Sequence, residues 1–301
     1  MDWTPGGNSD DIEDRRGDDS GGGGGGFGFG GMGGGLGIGG FILLLVLSLV
    51  TGRNFLGGFF GGGHAPSQPT ERRSAGPVEE TQAEKHSVQL ISWTLDDAQK
   101  TWEQIFEQSG KTYRHAKLVL FRDTTYSGCG TAQAATGPFY CPVDQKVYID
   151  LSFWDELQRF GGGTSEFAQA YVVTHEIGHH VQRLLGIESN VQRLMHARPE
   201  QRSQLSVALE LQADCFAGVW AHSAEQRGHV HTSDIAEGMK AAAAVGDDHL
   251  QKMAGRAVSP ERFTHGSSAQ RQQWLERGLQ DGTIGACNTF KNLSDADNQD
   301  Y

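Results

Sequence analysis

One short segment of the chain has residue types and a spacing that could bind a metal ion. Residues 174–180 read Thr-His-Glu-Ile-Gly-His-His and contain the pattern His-Glu-x-x-His. Four residues advance a helix by about 400°, so His175 and His179 lie on one face, where both imidazoles can bind one Zn²⁺. Glu176 can then reach a metal-bound water as a general base without binding the metal. The alternative interpretation is a solvated polar helix face.

A third ligand would separate these interpretations, because a catalytic zinc ion has three protein ligands and one open position. The metzincin continuation requires Gly at 182 and His at 185, where this chain has Gln182 and Leu185. Glu210 and Asp214 are four residues apart and therefore share a helix face. Glu210 could bind zinc while Asp214 accepts the free N–H of a ligating imidazole. The alternative is an exposed Glu210 and a capping Asp214.

Asp247 and Asp248 could form a second metal site, although a solvated helix end explains this pair more simply. Six other histidines have no usable partner spacing, and most are predicted to be surface residues: His180, His196, His222, His229, His231 and His249.

The elements that must position these residues follow from the spacing of apolar side chains. Alternating or continuous apolar runs predict strands at 116–121 and 146–150. Thr164 or Ser165 can cap a central helix that ends at Gly186. Further helices are predicted at 95–108 and near 203–225, 231–249 and 268–278. A small sheet followed by a run of helices predicts an α+β fold.

The N-terminal part of the chain has an unusual composition. Of the 43 Gly residues, 24 lie before residue 64, and positions 1–19 carry seven acidic residues. The formal net charge of −12 gives no basic footprint for nucleic acid. The predicted organisation is a disordered arm at 1–35, a transmembrane anchor at 36–56, a flexible linker at 57–87, a folded domain at 88–292 and a disordered tail at 293–301.

The apolar run 36–50 is predicted to be an uncleaved signal anchor. A cleaved signal peptide, the alternative, would have a short basic start, whereas over thirty mostly acidic or glycine residues precede this run. Arg53 directly follows the run, so the positive-inside rule does not place the domain outside. The cysteines favour the opposite orientation, with one crossing of the inner membrane and the domain on the periplasmic side.

All four cysteines follow the apolar run, and none lies in a Cys-x-x-Cys pattern. Two disulfides in an oxidising compartment are the simplest use of an even number, and four reduced buried thiols are the alternative. Four cysteines allow three connectivities. The predicted pairs are Cys129 with Cys141, twelve residues apart, and Cys215 with Cys287.

The metal-site residues also carry a family resemblance. His175-Glu176-x-x-His179 followed by Glu210-x-x-x-Asp214 is the gluzincin pattern of thermolysin-like peptidases. Segments 137–142, 146–150 and 210–218 resemble the bacterial neutral zinc metallopeptidase family. This resemblance covers nearly the whole chain, including the acidic start, the Gly-rich arm and one anchor. It implies a zincin-like fold and a membrane-anchored zinc peptidase. The segment around His265 resembles the one with which gluzincins steady the tetrahedral intermediate, so the resemblance makes His265 a second candidate catalytic residue that could donate a hydrogen bond to the developing oxyanion. The alternative is a structural His265 that caps a helix beginning at Ser267 or Ser268.

The sequence therefore predicts a single-pass membrane protein with one extracytoplasmic zinc peptidase domain that acts on peptides or proteins. Lys146–Asp150, as an edge strand, could hold an extended peptide. A zinc-stabilised scaffold module that cleaves nothing is the alternative, although a purely structural site has no use for the general base Glu176. Cell-wall peptide bonds are a further substrate class. The sequence predicts neither the substrate, the regulator nor the oligomeric state.

Overall fold

The computed structural model describes residues 1–18 and 78–291. The fold is α+β and mostly helical, as predicted from the sequence. The strands are β1 (Ile12–Asp14), β2 (Lys117–Phe121), β3 (Thr124–Ser127), β4 (Gly130–Gln133), β5 (Phe139–Cys141) and β6 (Lys146–Asp150). The helices are α1 (Gln82–Gln108), α2 (Phe153–Arg159), α3 (Glu166–Leu184), α4 (Ile187–Ala197), α5 (Arg202–Gln226), α6 (Thr232–Ala244), α7 (Asp247–Met253) and α8 (Ser268–Asp281).

Four strands form the main sheet in the order β1, β2, β6, β5. β1, β2 and β6 are parallel neighbours, and β5 pairs antiparallel with β6, whereas β3 and β4 form a separate hairpin. The strands predicted at 116–121 and 146–150 are confirmed. The prediction that Lys146–Asp150 is an edge strand is wrong, because β2 and β5 pair with its two sides. β5 is the edge strand on that side of the described sheet.

Helix α1 begins earlier than the predicted domain start at residue 88. Thr81 accepts a hydrogen bond from the backbone N–H of Glu84, and the Glu84 side chain accepts one from the backbone N–H of Thr81, which forms a capping box. The helix buries an apolar face that includes Leu95 and Trp102. The Trp102 ring meets the ring of Phe216 on α5 edge to face, with 5.3 Å between ring centroids. Packing of this face fixes α1 against α5, the helix that contains Glu210 and Asp214.

The central helix α3 lies where the sequence predicts it. Ser165 is its N-cap and accepts the backbone N–H of Ala168 at 3.2 Å. Gly186 follows its C-terminus with φ of 77°, a conformation that glycine adopts without steric strain. The predicted helix at 231–249 is divided into α6 and α7, and Gly246 lies between them.

Helices α5 and α8 approach closely through two glycines. A Cβ atom on Gly278 would lie 1.9 Å from the carbonyl oxygen of Cys215, and one on Gly218 would lie 2.2 Å from the carbonyl oxygen of Leu275. No side chain fits at either position without moving the backbone. This close approach brings α8 against the part of α5 that contains Glu210 and Asp214.

Residues 1–18, which we call the head, belong to the folded structure. β1 pairs with β2 in parallel register, with Ile12 opposite Leu118 and Asp14 opposite Leu120. The prediction of a disordered arm over 1–35 is therefore wrong for the head. The acidic composition suggested a solvated segment, but several of these carboxylates pair with basic side chains, as Asp11 does with Lys117 at 2.7 Å.

Among the described residues, no helix combines the length and apolar character needed to cross a bilayer. The predicted anchor at 36–56 lies outside the described residues, as do most of the linker and the tail at 293–301. Both predicted disulfides are confirmed. Cys129 joins Cys141 across the β3–β4 hairpin and the end of β5, and Cys215 on α5 joins Cys287 downstream of α8.

Candidate metal centre

Three side chains from α3 and α5 converge on one point. His175 and His179 lie one turn apart on α3, and Glu210 on α5 faces both of them. The Nε2 atom of His175 is 3.3 Å from Glu210 Oε2, and the Nε2 atom of His179 is 3.5 Å from Glu210 Oε1. One potential ligand atom from each residue lies within 4.8 Å of the other two. The structure thus brings together the three residues that the sequence predicts.

These distances fit a zinc ion. Ligand atoms that each lie about 2.0–2.1 Å from a tetrahedral zinc ion are about 3.3 Å apart, close to the two observed separations. Two imidazoles and one carboxylate also form the donor set of many catalytic zinc sites. Burial alone would raise the pKa of Glu210, but the imidazoles of His179, His265 and His175 lower it below its usual value. The lowered pKa favours the ionised form of Glu210, which is the form that binds a cation.

Asp214 fixes the orientation of the first histidine. Its Oδ1 accepts a hydrogen bond from Nδ1–H of His175 at 2.9 Å, which directs Nε2 toward Glu210. The Tyr171 hydroxyl donates to the same oxygen at 2.6 Å. Burial lowers the pKa of His175, but the Asp214 charge raises it to about 9. A metal ion must therefore displace a proton when it binds this imidazole.

Arg271 on α8 compensates the buried charge of Asp214. Its Nε donates to Oδ2 of Asp214 and its Nη2 donates to Oδ1, both at 2.9 Å. A bidentate pair of this kind joins two charge-assisted hydrogen bonds, which are stronger than hydrogen bonds between neutral groups. Asp214 is fully buried and Arg271 is nearly so. Sequence reasoning missed Arg271, because only the packing of α8 on α5 brings it to the site.

Gln182 fixes the second histidine in the same way. Its Oε1 accepts Nδ1–H of His179 at 2.9 Å, and its Nε2 donates to the carbonyl oxygen of Leu209 at 2.8 Å and to Gln212 at 3.1 Å. The amide of Gln212 donates in turn to the carbonyl oxygen of Cys287 at 2.9 Å. The position at which a metzincin would have glycine thus holds a side chain that orients a ligand. Its i, i+3 spacing from His179 is a signal that could have identified it.

Glu176 lies beside the two histidines but is not part of the converging group. Its side chain is 7% exposed, and burial raises the pKa of its carboxyl group above its usual value. A raised pKa makes a carboxylate a better proton acceptor near neutral pH. The arrangement therefore places a basic carboxylate next to the candidate metal ligands.

A loop between α7 and α8 presents His265. Oδ2 of Asp247 accepts the backbone N–H groups of Thr264 and His265, both at 2.7 Å, and of Gly266 at 3.1 Å. Oδ1 of Asp247 is 3.2 Å from Nδ1 of His265. The N-cap of α8 is Ser267, so His265 does not cap that helix.

Asp247 is buried and organises this loop, so the prediction of a solvated helix end at Asp247 and Asp248 is wrong. Asp248 accepts hydrogen bonds from the backbone N–H and the hydroxyl of Ser268 at 2.7 and 2.9 Å. The Ser206 hydroxyl on α5 donates to the carbonyl oxygen of Thr264 at 3.0 Å, so the loop lies against the helix that contains Glu210. Sequence reasoning did not connect Asp247 with His265, because 18 residues separate them.

His180, one of the six histidines of which most are predicted to be surface residues, is completely buried. The Tyr140 hydroxyl on β5 donates to Nδ1 of His180 at 3.0 Å, and Nε2–H of His180 donates to the carbonyl oxygen of Arg114 at 2.6 Å. Burial lowers the pKa of His180 to about 4, so the ring is neutral at pH 7. His180 therefore links the edge strand β5 to α3 at the residue that follows His179 in the sequence.

Comparisons with known proteins agree with the geometry of the site. The family model described as "Putative neutral zinc metallopeptidase" matches residues 1–290. "Uncharacterized protein YpfJ" of Escherichia coli K12 is 46% identical over 294 residues, which cover 96% of this chain and 99% of the relative. "Uncharacterized protein Rv2575" of Mycobacterium tuberculosis is 42% identical over 189 residues, which cover 59% of this chain and 63% of the relative. No solved structure matches the chain.

Proposed function

Because the chain belongs to the putative neutral zinc metallopeptidase family, we propose that it hydrolyses peptide bonds with a zinc ion held by His175, His179 and Glu210. The observation that carries the proposal is the convergence of these three side chains beside the buried, non-ligating Glu176. A purely structural zinc site is closed by four protein ligands and needs no neighbouring base. A zincin-like fold is part of this proposal, since α3 contacts the edge strand β5 through His180 and Tyr140, and β5 pairs antiparallel with β6.

The mechanism follows from the positions of the side chains. Zinc bound there would supply a Lewis acid that polarises the scissile carbonyl and lowers the pKa of water. Glu176 accepts the proton of the attacking water and passes it to the leaving amine, for which its raised pKa is suited. His265, oriented by Asp247, donates a hydrogen bond to the oxyanion. Asp214 and Gln182 hold the two imidazoles in the tautomer that exposes Nε2.

The substrate that we propose is an extended peptide or unfolded protein segment. β5 is an edge strand of the described sheet and is tied to α3 through Tyr140 and His180. A peptide that pairs with β5 would gain main-chain hydrogen bonds, and its carbonyls would be placed at a fixed distance from the zinc-motif helix. This proposal replaces the predicted role of Lys146–Asp150, which has no free side.

We further propose that the domain acts outside the cytoplasm and is attached to the cell membrane through the apolar run 36–50. Two disulfides support an oxidising compartment, because such bonds do not persist in a reducing cytosol. The 15-residue apolar run supports membrane attachment. The alternative function is a zinc-stabilised scaffold, and a buried base beside the ligands weighs against it.

A single substitution separates the peptidase from the scaffold. Glu176→Gln keeps the size of the side chain but cannot accept a proton, so it should retain zinc and lose about 10²- to 10⁴-fold in rate. Cleavage is measured on a peptide library and zinc is measured by atomic emission. Glu225→Gln, on an exposed turn of α5, is the matched control and should behave as wild type. Equal cleavage by Glu176→Gln and wild type would contradict the mechanism, and absence of cleavage by both would favour the scaffold.

The ligand assignment has its own test. Alanine at His175, His179 or Glu210 should each lower the zinc content of the purified chain, since a site with two remaining ligands binds weakly. Unchanged zinc in all three variants would remove the basis of the proposal.

A further inference from the structure

The two ends of the segment 19–77 are held at one place on the folded domain. Arg16, near the end of the head, forms ion pairs with Asp14 and with Glu80, where Nη2 of Arg16 lies 3.0 Å from Oε2 of Glu80. The side chain of Arg16 is 3% exposed. On the other side of the gap, Arg122 donates to the carbonyl oxygen of Glu79 at 2.8 Å. The chain therefore leaves the domain and returns to it within one cluster of ion pairs.

The head is also integrated into the sheet through its backbone. Leu118 donates its N–H to the carbonyl oxygen of Asp11 at 2.8 Å, and Arg15 donates to the carbonyl oxygen of Leu120 at 2.7 Å. These bonds place β1 along the outer side of β2, which would otherwise be an exposed edge. Glu13 pairs with Lys146 on β6, so the contact extends across two strands of the sheet.

The first residues of the head contact the helical part of the domain. The amino group of Met1 lies 3.0 Å from Asp234 Oδ1 at the start of α6, and Asp2 donates its N–H to the carbonyl oxygen of His229 at 2.8 Å. The ring of Trp3 packs against Trp93 on α1, with ring centroids 6.3 Å apart. The head thus contacts the domain at both of its ends.

We infer that the head and residues 78–291 lie on the same side of any membrane to which the chain is attached, because they form one folded unit. One crossing would place the head and the sheet in different compartments and break every contact described above. Arg16, Asp14 and the backbone groups of β1 would then have to exchange these partners for water. Because this inference concerns topology alone, it does not depend on whether the zinc site is catalytic.

Protease accessibility in cells tests the inference on the full chain. One variant carries the recognition sequence of a specific protease after Ser20, and a matched variant carries it after Ala65. Neither insertion touches a described residue. Protease is added to intact cells with permeable outer membranes, then to cells opened by detergent. We expect the two sites to become cleavable together, under the same condition. Cleavage of one site in intact cells while the other requires detergent would overturn the inference.

Hydrogen exchange provides a second, independent readout. In the purified full chain, the amide of Arg15, which is bonded to Leu120, should exchange slowly, together with the Leu118 amide on the partner strand. A head that has left the sheet would exchange at the rate of an unstructured peptide. Fast exchange of the head in the membrane-bound chain would also overturn the inference, even if the domain itself remained protected.

Discussion

The pairing of Arg271 with Asp214 offers the sharpest test of how the site is held together. Arg271→Met preserves much of the apolar stem but removes the guanidinium that contacts both carboxylate oxygens of Asp214. Asp214 would remain fully buried with Tyr171 and His175 as its hydrogen-bond partners, and without a fixed positive charge. Removal of one member of a buried ion pair typically destabilises a protein by about 3–5 kcal/mol, because the other charge stays in the interior.

That loss should appear as a lower melting temperature. For a domain of this size, 1 kcal/mol corresponds to roughly 2–4 °C, so Arg271→Met should lower the transition by roughly 6–20 °C. The measurement is thermal unfolding in the presence of a chelator, so that metal binding does not contribute. Arg277→Met on the same helix is the matched control, because Arg277 is exposed and bonds one backbone carbonyl. The control should change the free energy of unfolding by less than about 1 kcal/mol.

A double-mutant cycle then isolates the charge. Asp214→Asn alone leaves the guanidinium of Arg271 buried without its carboxylate, whereas the double variant Arg271→Met with Asp214→Asn leaves no unpaired charge. The double variant should therefore be more stable than the sum of the two single effects allows, by about 0.5–3 kcal/mol. Asp214→Asn should also weaken zinc binding about 10- to 100-fold. Additive effects within error would refute the interpretation of Asp214 and Arg271 as a coupled buried pair.

Three further predictions concern packing, catalysis and pH. Gly278→Ala should destabilise the domain by several kcal/mol, because its Cβ would lie 1.9 Å from a backbone oxygen of α5. Chemical denaturation measures this loss, and a denaturation midpoint equal to that of wild type would contradict the close approach of the two helices. Asp247→Asn should lower kcat about tenfold or more at unchanged zinc content, because Asp247 orients His265. An unchanged kcat would exclude a role of Asp247 in orienting His265 for catalysis. Burial lowers the pKa of His115, but hydrogen bonds to Asp11 and to a carboxylate of α1 raise it above its usual value. The protonated His115 should therefore stabilise the fold by roughly 0.5 kcal/mol after solvent screening. This stabilisation should be complete below about pH 6.5 and be lost as the pH rises through the folded-state pKa. Urea unfolding from pH 5 to 9 measures it, and His115→Gln should remove this pH dependence.

The local part of the site could be predicted from sequence because helical geometry is regular. The four-residue spacing of His175 and His179, and of Glu210 and Asp214, places each pair on one face whatever surrounds the helix. The caps of α3 were equally predictable, since Ser165 and Gly186 act through the adjacent backbone. Chemistry that depends on a single element was therefore accessible before the fold was known.

Contacts between distant elements could not be predicted in this way. Arg271 and Asp247 read as ordinary charged residues of helices, and only packing places them at Asp214 and His265. His180 was grouped with histidines predicted to lie mostly at the surface because it has no usable partner spacing, whereas Tyr140 and the Arg114 carbonyl satisfy both of its ring nitrogens in the core. Buried polar groups of this kind are stable only with partners, and the partners are defined by the tertiary structure.

The head shows how strongly such partners can change the interpretation of a composition. Seven acidic residues in positions 1–19 suggest a solvated arm when the segment is considered alone. In the fold, β1 covers the β2 edge of the sheet, while β5 is the other edge of the described sheet and lies beside the zinc-motif helix. An uncovered β2 edge would offer an incoming peptide a second strand to pair with, away from His179 and Glu176. By occupying that edge, the head leaves β5, beside α3, as the edge at which we propose that a substrate pairs. The position of the first 18 residues therefore bears both on the compartment of the head and on the proposed substrate site.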